Sequence, residues 1–118
     1  MSVAYTEAAV RERRKTVTRR LGWLFAKPGD RITLCRKVMG RKRGEPLDRI
    51  AEVEIVSVGR ERLDDIGPGD IVREGFATSA GYTADRERFI DLFRNFGAGP
   101  GTIVTRIEWR YVDESATA

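Results

Sequence analysis

The chain has 118 residues, 41% of them hydrophobic, with 22 basic and 18 acidic side chains and a net charge of +4. That length fits one domain with one modest core, and no apolar run approaches the roughly 20 residues of a membrane-spanning helix. With no histidine and a single cysteine, Cys35, the chain excludes internal disulfides, Cys/His zinc sites and every catalytic arrangement built on an imidazole base.

In chain order, the first ten residues lack the basic-then-apolar order of a secretory signal, so a soluble, cytoplasmic protein is expected. Thr6 and Glu7 predict a capped helix over residues 7–14. The β-branched Thr16, Val17 and Thr18 then predict a strand. "KPGD" (27–30) reads as a turn, and "RITLCRKV" (31–38) as a strand with Ile32, Leu34 and Val38 on one face. "MGRKRGEP" (39–46) reads as a polar loop. "RIAEVEIVSV" (49–58) alternates again, with Ala51, Val53 and Ile55 on one side. A Gly-Pro-Gly turn at 67–69 leads into a short helical stretch with Ile71, Val72 and Phe76 apolar. The strongest helix is "ADRERFIDLFRNF" (84–96). It has a stripe of Phe89, Leu92, Phe93 and Phe96, Thr83 to cap its start and Gly97 to end it. A last strand over 103–112 puts Ile107, Trp109 and Tyr111 on one face, and residues 113–118 read as a frayed tail.

About four strands, polar on one face, with two or three helices predict an α+β domain. Its expected form is a small, mostly antiparallel β-barrel flanked by short helices. One such domain is expected over residues 1–118, with its core at about 8–112.

The charge is segregated. Residues 11–20 hold six basic side chains and one acid, and residues 36–43 hold five basic side chains and none. The two windows together carry +10, so the remainder carries −6. One such window reads as a solvated loop; two in a chain this short favour contact with a polyanion.

The order of these segments resembles the ASCH domain, a branch of the PUA-like β-barrel superfamily. The segments are a helix, a lysine motif, "KPGD", a basic strand, "EVEIVSV", "LDDI" followed by "EGF", and "RIEWRYV". The ASCH signature runs Gly-x-Lys-x-x-Glu-x-Arg. Here its lysine is Lys15 and its arginine Arg20, while Arg13 stands for the glycine and Thr18 for the glutamate. A small bacterial subset that hydrolyses N4-acetylcytidine is similar in having Lys-x-x-Thr here and a glutamate after a Leu-Asp segment, which corresponds to Glu74. The resemblance therefore implies Lys15, Thr18 and Glu74 as catalytic candidates.

Releasing an acyl group from an exocyclic nitrogen needs a nucleophile, a base and a place for the oxyanion. Thr18 is the candidate nucleophile and Lys15 its base, provided burial and the neighbouring arginines lower the lysine pKa. Glu74 would hold the ammonium charged, activate water or orient the substrate. Residues three apart lie on opposite faces of a regular strand, so Lys15 and Thr18 need a junction or a bulge to meet. Each residue also has an ordinary reading: a phosphate contact, a strand residue, a helix-end carboxylate.

Arg19, Arg20, Arg41, Lys42 and Arg43 are candidate nucleic-acid contacts, and Tyr82 a candidate pocket lid. Trp23 and Phe25 are weaker stacking candidates. Trp109 and Cys35 read as core. The functional expectation is recognition of RNA, DNA or a modified nucleoside through a basic cleft, with metal-independent amidohydrolysis as the alternative and a protein-interaction face as a third. No cofactor, metal or membrane partner is expected.

Overall fold

A computed structural model describes residues 1–36, 44 and 48–112. Four antiparallel strands, β1 (Val17–Arg20), β2 (Arg31–Cys35), β3 (Arg49–Arg62) and β4 (Ile103–Tyr111), form one sheet in the order β1-β4-β3-β2. The helices are α1 (Glu7–Arg11), α2 (Pro68–Glu74) and α3 (Tyr82–Arg94), with 3-10 turns at Ala4–Thr6 and Leu63–Asp65. The sheet curls into half a barrel, so the expected α+β class and antiparallel barrel are realised in that form. The predicted loop at 39–46 save Gly44, all of the basic 36–43 window save Arg36, the predicted strand residue Val38 and the tail from 113 lie outside the described residues.

The two edges of the half-barrel are joined by the first three residues. Met1–Val3 runs beside β2, with Cys35 N donating to Met1 O and Val3 N to Cys35 O, both at 2.9 Å. From the other edge, Arg20 of β1 donates to Ser2 O. A strand edge that would present free backbone groups is thereby covered.

Two hydrophobic clusters lie on either side of this frame. The inner one gathers Val3, Val10, Ile32, Leu34, Val53, Ile55, Ile107 and Trp109. The other gathers Leu63, Ile66 and Ile71 with Phe89, Ile90 and Phe93 of α3, Ala98 and Val104. Strand parity explains the division: Ile107 and Trp109 leave one face of β4, and Val104 the other.

Several boundaries differ from those read in the sequence, each for a local reason. α1 stops at Arg11 because Arg13 adopts φ 59°, a left-handed conformation that no helix interior accepts. Thr6 lies in the preceding 3-10 turn and makes no side-chain cap. β3 runs on to Arg62, past the expected end at Val58, because a bulge between Ile55 and Ser57 re-phases it. Ile55 faces inward before the bulge and Val58 packs on the same cluster after it. α3 begins at Tyr82, with Gly81 at its cap and no side-chain cap; Thr83, expected to cap it, lies inside the helix, and Asp85 of its first turn accepts from Thr78 N at 2.7 Å and from the Thr78 hydroxyl. In α2, Ile71 is buried as expected and Val72 is exposed.

Gly75 ends α2 at φ 85°, and a Cβ built there would stand 2.8 Å from Ala9 Cβ of α1. This close approach seats the end of α2 on α1. Gly75→Ala is expected to destabilise the fold by about 2 kcal/mol or more, from left-handed strain and overpacking together. Thermal unfolding should register it as a loss of about 10 °C.

Candidate functional site

The site begins where α1 gives way to β1. Past Arg13, the chain folds back over the helix end, with Arg14 N and Lys15 N both donating to Ala9 O at 2.8 and 3.1 Å. Two aromatic side chains of β4 then grip the next carbonyl. Trp109 Nε1 donates to Lys15 O at 3.0 Å, and Tyr111 OH donates to the same oxygen. The Arg13 guanidinium lies over the Tyr111 ring, 5.4 Å from its centroid.

So held, Lys15 is 2% exposed, and its Nζ donates to Glu74 Oε1 at 2.9 Å and to Glu74 O at 2.7 Å. Burial pushes the lysine pKa down, opposed by the Glu74 carboxylate and reinforced by Arg20 and Arg19. The second oxygen of Glu74 accepts from Arg19 NH1 at 3.1 Å. One buried carboxylate thus joins two buried cations.

β1 divides its arginines by strand parity. Arg19 leaves on the side of its partner Arg106, and both grip Asp70 of α2. Arg19 also donates to Glu61 Oε1 at 2.7 Å. Its guanidinium is therefore spent on three carboxylates: Glu61, Asp70 and Glu74. Burial alone would lower the Arg19 pKa, but bonding to Asp70 and attraction to Glu74 and Glu61 leave it raised. Hydrogen bonds from Arg106, then Arg19 and Arg73, hold the Asp70 carboxyl far below its ordinary value despite partial burial.

Thr18 and Arg20 leave the other face of β1, on the side of Ile107. Arg20 Nε donates to Thr18 Oγ1 at 3.2 Å, and its other bonded partner is Ser2 O. Among the described residues, no carboxylate lies within 4.0 Å of Arg20. Burial lowers its pKa, and Glu74 partly restores it.

Lys15, Thr18, Arg19, Arg20 and Glu74 all border one cavity of about 720 Å³ between the two hydrophobic clusters. Its apolar wall is Phe76, Phe89, Leu92, Phe93 and Phe96, facing Val3 and Trp23. The helix-to-strand junction that the Lys15–Thr18 spacing requires is present. Tyr82 does not border this cavity; its hydroxyl donates to Ile66 O at 2.6 Å and ties α3 to the turn before α2. Arg41, Lys42 and Arg43 lie outside the described residues. Among the described residues, no three acidic or cysteine side chains converge as a metal site, and no helix is long and apolar enough to cross a membrane.

Sequence reading missed the residues that hold the site. Trp109 is core, as expected, yet its indole N–H also fixes Lys15. Asp70, Glu61 and Arg106 carried no signal, because they come together only through the fold. Phe96 had one: it closes the predicted helical stripe yet lies past the end of α3 at Arg94, 58% exposed, where it rims the cavity.

Neither a family model nor a curated protein matches this chain. Solved structures do. A crystal structure of an ASCH domain from Lactobacillus crispatus JV V101 is similar with a TM-score of 0.58 and 15% identity, covering 94% of this chain and 75% of its own. The chain has the ASCH fold. A second structure, a DUF984 protein from Enterococcus faecalis V583, is similar with a TM-score of 0.62 and 13% identity, covering 95% and 71%. In this ASCH fold, Arg13 takes the left-handed conformation for which glycine is the default residue.

Two outcomes follow from the buried charges. Glu74→Gln leaves Lys15 and Arg19 without their shared anion and is expected to cost about 3 kcal/mol at pH 7. Lys15 titrates below its ordinary 10.5 when folded, so stability rises as pH climbs through the folded pKa toward 10.5. With Glu74 neutral, that rise should begin at lower pH, as urea unfolding across pH 7 to 10 would record. Asp70 titrates below its ordinary 3.8, so its pairing stabilises fully above 3.8 and is lost as pH falls toward the folded pKa. The gap in stability between the parent protein and Asp70→Asn should therefore be widest near neutrality and close in acid.

Proposed function

We propose that the cavity receives a single nucleobase, carried by RNA, DNA or a modified nucleoside. The observation that carries this reading is Arg20, a largely buried cation at the cavity with no carboxylate partner among the described residues. Buried charges are ordinarily paired, so an unpaired cation facing a cavity is available to an electron-rich ligand group, a phosphate or a base carbonyl. Beside it, Glu74 and Thr18 offer acceptors, Lys15 and Thr18 donors, and the phenylalanine wall offers faces for a planar ring. The volume falls in the range of about 300–1,000 Å³ usual for small-molecule sites.

A second reading, hydrolysis of an N4-acyl cytosine, is favoured by the meeting of Lys15, Thr18 and Glu74 on this same cavity. Thr18 Oγ1 accepts from Arg20 and keeps its own proton to give. Its attack on the acyl carbon would pass that proton to neutral Lys15 Nζ, with Arg20 facing the oxyanion. Collapse breaks the bond from carbon to N4, and the lysine returns the proton to the leaving nitrogen. Water then cleaves the acyl–Thr18 ester, so amide plus water gives amine plus acid. Burial moves Lys15 toward the neutral amine that the attack needs, while its contact with Glu74 at 2.9 Å opposes that move.

One experiment separates the readings. The protein is mixed with N4-acetylcytidine and its deoxy form, and binding and cytidine release are followed together. Recognition alone gives binding of the nucleoside without release, weakened about tenfold to a hundredfold by Arg20→Gln. Hydrolysis gives release that disappears in both Thr18→Ala and Lys15→Ala. Absence of binding and of release overturns both.

A further inference from the structure

We propose that the turn from Gly22 to Ala26 forms a second, base-stacking subsite beside the first cavity. The ligand is then a single-stranded nucleic acid of two or more nucleotides and not a free nucleoside. The inference rests on the reading of the first cavity as a base site, and it names the ligand's form.

A second cavity of about 450 Å³ lies against this turn, bordered by Trp23, Phe25 and Arg31 among others. Trp23 and Met1 border both cavities, so the two adjoin across the tryptophan. The turn is strained: Gly22 has φ 77° and Trp23 φ 52°, two left-handed residues in succession, the second an aromatic that rarely accepts it. Such strain persists only where surrounding contacts hold it, and it concentrates at binding sites. Here Thr105 Oγ1 donates to Gly22 O, Ala26 N to Trp23 O at 3.2 Å, and Arg60 NH2 to Leu24 O at 3.4 Å.

The strained turn presents an aromatic pair. The Trp23 and Phe25 rings lie 5.2 Å apart at 34°, and Phe25 is 74% exposed. Exposed aromatics flanked by cations are how sequence-tolerant proteins hold single strands. Cations lie on both sides: Arg20 at the first cavity, and at the second Arg31, more than half exposed and only loosely paired with Glu54 at 3.9 Å. The acid of the second cavity, Asp30, is neutralised by Lys27 at 2.7 Å. A phosphate joining two nucleotides would run between the two arginines, with one base in each cavity.

The test titrates cytidine and cytosine hexanucleotides, ribo and deoxy, into the parent protein and Phe25→Ala, following binding by calorimetry. The exposure of Phe25 makes the variant a safe one for folding, and a thermal melt verifies it. Either hexanucleotide should bind at least about tenfold tighter than cytidine, and Phe25→Ala should remove about tenfold of that gain while leaving cytidine unchanged. Equal affinity for cytidine and hexanucleotides, or a hexanucleotide gain that Phe25→Ala leaves intact, overturns the subsite but spares the first cavity. Failure of all three ligands to bind overturns both. Sedimentation of a dimer that Phe25→Ala dissociates would assign the aromatic pair to a second copy of this chain and overturn the subsite.

Discussion

The fold around the cavity depends on one carboxylate. Glu74 sits at the last turn of α2, buried, and divides its two oxygens between Lys15 and Arg19. Buried ions are stabilising only when their partners are in place, and removing one partner leaves an uncompensated charge in a poor solvent. Lys15 lies just before β1 and Arg19 within it, so the carboxylate fastens the helix to the edge strand at two points. Ile71 in the same helix and the close seat of Gly75 on Ala9 add an apolar grip to this ionic one. The orientation of α2 is therefore specified by charge as well as by packing.

A second layer of charge stands behind the first. Arg19 passes from Glu74 to Glu61 and Asp70, and Asp70 passes to Arg106 and Arg73. Charges so linked screen one another and need little from water. Among the described cationic side chains that border the cavity, Arg20 is the exception, bonded to a hydroxyl and a carbonyl, which are neutral. Its bond to Ser2 O helps close the half-barrel, yet neither partner balances its charge. A protein that binds an electron-rich group gains a prepared site, with the cost of ordering the cation met in folding.

Much of this was legible in the sequence because it is written locally. The alternation in "RITLC", "RIAEVEI" and "RIEWRY" reports which face each strand buries, and the Phe89–Phe93 spacing reports the helix. Lys15, Thr18 and Glu74 were legible through the resemblance and not through physics, since nothing within the chain says that residue 74 meets residue 15. The boundaries failed where one residue overrides its neighbours. Arg13 ends α1 by its dihedral angle, and the bulge at Ile55–Ser57 extends β3 where alternation alone marks an end. Trp109 shows the same limit from another side. Its place in an apolar stripe announces burial, but the partner of its N–H, 94 positions back in the chain, is a property of the fold alone.

The parity of β1 has a consequence for how this segment tolerates change. Arg19 and Arg20 are the same residue type, yet the pleat makes one an internal counter-ion and the other an open cation. A register slip of one position would exchange their faces, turning Arg20 toward the acidic cluster and taking Arg19 from its three carboxylates. Insertions and deletions between Lys15 and Arg20 are thus far more damaging than replacements. The spacing in this stretch, which sets the face each arginine takes, constrains the fold more tightly than the identity of either one.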